Sequence, residues 1–198
     1  MTQSSRLIAT LLALLAWAGL AAQFALSIET NETVWRTIWV LARYFTILTN
    51  ALVAVTFTIM AVRGRRAPAQ WTAALTLWIL IVGVVYHTLL ADYDKSGLDF
   101  FADHATHTVV PLLTAVWWVA FARHVAFRWR LAAYWLAYPL LYLAYALARG
   151  AADGIYPYFF VDVSRFPVST VLGYCVGLCV AFWLAGLLMI AIARARAR

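Results

Sequence analysis

A threonine hydroxyl attacks a carbonyl only once a base has taken its proton, and histidine titrates in the right range to be that base. The chain offers both residue types in two short polar clusters, Arg43-Tyr-Phe-Thr46-Ile-Leu-Thr49-Asn50 and Asp103-His104-Ala-Thr106-His107. At helical spacing Arg43, Thr46 and Asn50 share one face, and Asp103, Thr106 and His107 share another. The chemistry this supports is nucleophilic. His107 deprotonates Thr46, and Asp103, one turn earlier, orients the imidazole or stabilises its protonated form. Arg43 and Asn50 donate to a developing oxyanion or hold a substrate carboxylate. Tyr86 and His87 are further candidates for lining the site.

Each residue also has a plainly structural use. Threonines in apolar helices commonly bond to the carbonyl one turn back, which is expected of Thr49, Thr106, Thr108 and Thr114. Arg43 can instead pair with Asp103 and lock two helices together, and Asn50 can join helices by hydrogen bonding. His104-x-x-His107, with Asp103 and His87, has a spacing permissive for zinc. No second cluster supplies a thiolate or a further histidine, and His124 lies among arginines at the other end. The expectation is therefore no metal and no cofactor, with a metal-dependent hydrolase as the alternative within enzymes.

These clusters must be positioned by long apolar elements. Of 198 residues 66% are hydrophobic and 12% charged, with a mean hydropathy of +0.84; that excludes an ordinary soluble domain. Six stretches reach or approach the roughly 20 residues a helix needs to cross a bilayer, over about 7–28, 38–62, 71–91, 102–122, 131–148 and 167–193. None alternates apolar and polar residues as a barrel strand does, so the predicted class is all-α, a polytopic membrane bundle of six helices forming one domain over 1–198. The fifth stretch is the shortest and contains Pro139. Arg6 and the run ending Leu20-Ala-Ala-Gln23 have some features of a secretory signal, but a run of about 20 residues is too long for one and reads as the first crossing. Both clusters then fall near the outer ends of inward-running helices, with Thr46 roughly 10–13 Å below the start of its own. Ionisable groups at that depth read as functional by default.

Charge gives the direction. Arg6, Arg63, Arg65, Arg66, Arg123, Arg128, Arg130, Arg194, Arg196 and Arg198 all lie on one side of a six-crossing arrangement, and all 8 acidic residues on the other. The positive-inside rule makes both termini cytoplasmic. The net charge of +7 thus reflects topology and contact with anionic lipid, not nucleic acid. Trp35, Trp39, Trp71, Tyr93, Trp129, Tyr134, Trp135, Tyr156 and Tyr158 are placed to form interfacial belts. Gly173-x-x-x-Gly177 suits close helix packing, within the monomer as the first expectation and in dimerisation as the alternative, and Cys175 and Cys179 read as packing residues. Lean loops rich in Ala and Arg suggest a bacterial inner membrane.

The order Phe45-Thr46, then Asp103-His-Ala-Thr-His107-Thr-Val-Val-Pro111, then Ile155-Tyr156-Pro157-Tyr158-Phe159 resembles the androgen-induced gene protein family, which also includes the androgen-dependent TFPI-regulating protein. The resemblance extends over nearly the whole chain. It implies a membrane hydrolase with its threonine nucleophile at Thr46 and its histidine at His107, cleaving fatty acid esters of hydroxy fatty acids. Membrane lipids and a lipid ester are the expected partners. A transporter, channel or lipid-binding protein with an outer polar cavity is the alternative. Against transport, Phe57, Met60, Trp117 and Trp118 are expected to close the inner halves of the same helices.

Overall fold

The six apolar stretches fold mainly as helix; those at 38–62, 102–122 and 131–148 are interrupted, the first two at the polar clusters. The computed structural model describes residues 1–92 and 94–197; Tyr93 and Arg198, named above, lie outside the described residues. The elements in order are α1 (Gln3–Asn31), α2 (Val34–Leu41), α3 (Phe45–Arg63), α4 (Ala69–Val85) running into a π-helical turn (Tyr86–Leu90), α5 (Gly97–His104), a second π turn (Ala105–Val109), α6 (Val110–Phe121), α7 (Leu131–Tyr134), α8 (Ala137–Asp153), a 3-10 turn (Phe159–Val161) and α9 (Val168–Arg196). No strand occurs among the described residues.

Five helices are long and apolar enough to cross a membrane: Gln3–Asn31, Phe45–Arg63, Ala69–Leu90, Leu131–Asp153 and Val168–Arg196. The remaining predicted crossing is helical from Gly97 to Phe121, longer than the 102–122 stretch read from sequence, but in three pieces. Its aspartates and histidines make it the most polar of the six.

The chain divides into two compact units, Met1–Arg123 and His124–Arg198. In the first, α1 packs along α3, α5 and α6, and α4 packs on α3 and α6. One end of the unit gathers the start of α1 and the ends of α3 and α6. There Arg6 Nε donates to the Ala61 carbonyl at 2.7 Å and Trp117 Nε1 to the Ser5 carbonyl at 3.1 Å. Phe57, Met60, Trp117 and Trp118 are all buried, with Phe57 meeting Trp117 edge-on at 5.1 Å. That end is closed by bulky apolar side chains, as expected.

In the second unit, α7 and α9 pack together. Pro139 has no N–H to give the Trp135 carbonyl four residues back, and the helix breaks there into α7 and α8. Trp135 is buried against Phe127, ring centroids 5.9 Å apart, so it is core rather than interfacial belt. Tyr156 lies against Gly150, where a Cβ would come within 2.2 Å of its ring, and Tyr158 stacks on Phe160; these two are packed as well. Cys175 is buried and Cys179 half-buried, both as free thiols. Gly173 and Gly177, expected to support close packing, have no described atom within 4 Å of where a Cβ would lie.

Candidate active site

The second π turn organises the site. Pro111 cannot donate to the His107 carbonyl four residues back, and its ring crowds that oxygen. The helix opens by one residue, and Val110 N–H donates to the Ala105 carbonyl five residues back. The His107 carbonyl turns toward α4, where Gly83 leaves room for it; a Cβ there would stand 3.0 Å from that oxygen.

Asp103, 3% exposed, is the hub. Its Oδ1 accepts from Lys95 Nζ at 2.6 Å and its Oδ2 from the Tyr86 hydroxyl at 2.6 Å. His107 Nδ1 lies 3.3 Å from Oδ1 and 3.1 Å from the Asp103 backbone carbonyl. With its proton on Nδ1 the imidazole donates to this acidic edge, and the lone pair on Nε2 is left to act as a base. No described residue bonds to Nε2. The Tyr86 ring stacks on His107 at 3.9 Å and fixes its plane.

Opposite this turn stands the start of α3. The sequence predicts one helix over 38–62, but the chain breaks at residues 42–44 between α2 and α3. Arg43 therefore sits in the break and not on a helix face with Thr46 and Asn50. Thr46 lies in the first turn of α3, not two or more turns down a longer helix. This position has a chemical consequence. Thr49, Thr106 and Thr114 bond to carbonyls one turn back, at 2.7, 2.8 and 2.7 Å. Thr46 has no preceding turn within α3 to bond to, and its hydroxyl makes no hydrogen bond to a described residue. The N-cap, Tyr44, makes no side-chain hydrogen bond to the first N–H groups of the helix, and the Thr46 and Ile47 N–H groups have no acceptor among the described residues. A helix N-terminus of this kind presents donors and positive potential to an anion.

Asn50 ties the two parts together. Its Nδ2 donates to the Thr46 carbonyl at 2.9 Å and to the Thr106 carbonyl at 3.1 Å. Both protons are thus engaged, and Asn50 is a clamp rather than a free oxyanion donor. Its buried Oδ1 has no partner among the described residues. The clamp sets the Thr46 turn beside the turn carrying His107, although no hydrogen bond joins the threonine hydroxyl to that imidazole.

Other expectations are redistributed. Arg43 is buried, but the cation on Asp103 is Lys95 and not Arg43. Lys95 was missed by sequence reasoning. The available signal was its isolation, as the one basic residue in the acidic run Asp92-Tyr-Asp94-Lys95. Thr108 does not bond one turn back; its Oγ1 lies 2.9 Å from His87 Nε2. His104 stacks on Phe100 at 3.8 Å, with Nδ1 3.1 Å from the Phe100 carbonyl. Among the described residues no three His, Cys, Asp or Glu side chains gather as a metal site.

No family model, curated protein or solved structure matches the chain.

Proposed function

We propose that the chain is an integral membrane hydrolase of lipid esters, with Thr46 as nucleophile and His107 as base. The observation that carries this reading is the pairing of His107 Nδ1 with the buried Asp103 carboxylate at 3.3 Å, beside an uncapped helix start that bears Thr46. A base fixed through one nitrogen with the other left open is what activation of a hydroxyl requires. His107 Nε2 takes the Thr46 proton, and Oγ1 attacks the ester carbonyl. The Thr46 and Ile47 N–H groups stabilise the oxyanion. The imidazolium returns its proton to the leaving alcohol, and water, activated by the same nitrogen, releases the acyl-threonine. The family resemblance stated above puts the same two roles on the same residues and names the substrate class, fatty acid esters of hydroxy fatty acids.

In this reading the Gly97–Phe121 segment is a sixth crossing, both termini are cytoplasmic, and the site opens to the outer leaflet of a bacterial plasma membrane. Transport fits less well, because Phe57, Met60, Trp117 and Trp118 fill the inner end of the same unit.

The test is hydrolysis of such an ester by the purified protein in detergent. Thr46→Ala and His107→Ala should each lower kcat by about 100-fold or more while eluting as folded protein, and Thr46→Ser should keep measurable turnover. Full activity in Thr46→Ala removes the assignment.

A further inference from the structure

The two π turns do more than seat His107. They place a second hydroxyl against a second imidazole, Thr108 Oγ1 at 2.9 Å from His87 Nε2. This pair comes from two elements that are separate in sequence. Tyr86 meets His107 face-on and His87 edge-on, ring centroids 5.1 Å apart in the latter case, so one ring orients both imidazoles. The back-bond that quiets Thr49, Thr106 and Thr114 is replaced at Thr108 by the contact to His87. Where the Asp103 hub is buried, this pair is open: His87 is exposed and Thr108 half-buried. Its neighbours Val84, Leu89, Val109 and Leu112 are exposed apolar side chains. In a membrane such a surface adjoins acyl chains, where an ionisable side chain is costly and reads as functional, and a lipid carbonyl reaches the pair without any cleft to enter.

The geometry points to Thr108 and His87 as a second nucleophile–base pair, taking the acyl group of a membrane lipid ester at the protein's lipid-facing surface. His87, with its proton on Nδ1, accepts the Thr108 proton on Nε2 as Oγ1 bonds to the ester carbonyl carbon. The carbon–oxygen bond to the alcohol then breaks, and the alkoxide takes the proton from Nε2. Water, deprotonated by the same nitrogen, cleaves the acyl-threonine to the free acid and returns the hydroxyl. Only the choice of an ester as substrate rests on the function proposed above; the pair itself does not involve Thr46 or His107.

A fluorophosphonate probe separates the two sites, because it bonds covalently to an activated hydroxyl with loss of fluoride and the modified peptide is read by mass spectrometry. The full-length protein in detergent should carry the label on Thr108. Thr46→Ala should keep that label, and His87→Ala or Thr108→Val in the same background should lower it by about 100-fold, with Thr108→Ser retaining it as a control for folding. Label on Thr108 with none on Thr46 supports the pair and removes the Thr46 assignment. Label on Thr46 alone, lost in Thr46→Ala, overturns the pair and leaves the main site standing. No label on either hydroxyl overturns the pair as well, even if Thr108→Val lowers thermal stability, since His87 then serves only to tie the two turns.

Discussion

Lys95 shows how much of the site hangs on a residue that no motif marks. Asp103 is 3% exposed, and a carboxylate at that burial is tolerable only because a cation and a phenol hydroxyl bond to it at 2.6 Å each. Lys95 is about a quarter exposed, which puts the cost of losing it at the low end of the range for a broken buried pair, about 3 kcal/mol. Lys95→Met should therefore destabilise the protein measurably in thermal or denaturant unfolding in detergent. Lys95→Met with Asp103→Asn should recover much of the loss, because no unpaired charge then remains inside. Equal destabilisation in the single and double variants would mean that the pair is not what holds the loop to the hub. At this scale Asp103 and His107 stand out by type within an apolar segment, whereas Thr46, one of many threonines, is singled out only by its spacing and by the family resemblance. Lys95 does not stand out, because a lone lysine in a loop ordinarily faces water. The role of Asn50 changed because both its protons go to carbonyls, which spacing along one helix cannot reveal.

At the scale of elements, prolines and glycines decide where the side chains stand. Pro111 was visible as part of a motif, yet its effect, a π turn that carries His107, follows from the i−4 carbonyl it leaves unbonded. The break at residues 42–44 was harder to read, since no Pro or Gly marks it and only Arg43 interrupts the apolar run there. Gly150 carries the sharpest packing constraint in the second unit. A Cβ there would lie 2.2 Å from the Tyr156 ring, too close for any adjustment short of moving the ring. Gly150 is also buried. Although alanine favours a helix over glycine by up to about 1 kcal/mol, overpacking costs about 1–3 kcal/mol and should exceed that gain. Gly150→Ala should unfold at lower temperature than wild type, and Tyr156→Ala in the same chain should restore part of the loss. A Gly150→Ala variant at least as stable as wild type would show that the Tyr156 segment does not pack as described.

For the whole molecule the decisive number is the parity of crossings, and charge is the feature that constrains it. Five helices meet the length and hydropathy of a span outright, while Gly97–Phe121, which carries Asp103, His104 and His107, is not among them. Suppose that segment did not cross. Arg123, Arg128 and Arg130 would then lie on the outer side, Asp153 and Asp162 on the inner, and the C-terminal arginines outside. The arginine placements oppose the positive-inside rule, which counts basic residues and is strongest for short loops such as these; the acidic ones weigh little. With six crossings every one of them is reversed at once. A polar segment in the bilayer is the smaller cost, because Asp103 is internally paired and its neighbours are bonded along the helix. Cysteine labelling reads this directly. In a chain with Cys175 and Cys179 replaced by alanine, Asp94→Cys and Val163→Cys should both react with a membrane-impermeant maleimide on intact cells made permeable only at any outer barrier. Arg66→Cys and Arg128→Cys should react only after lysis. Labelling of Asp94→Cys from outside with Val163→Cys protected would mean that Gly97–Phe121 does not cross. The hub would then have to work at the membrane surface rather than within it, and lateral entry of a lipid ester would lose its basis.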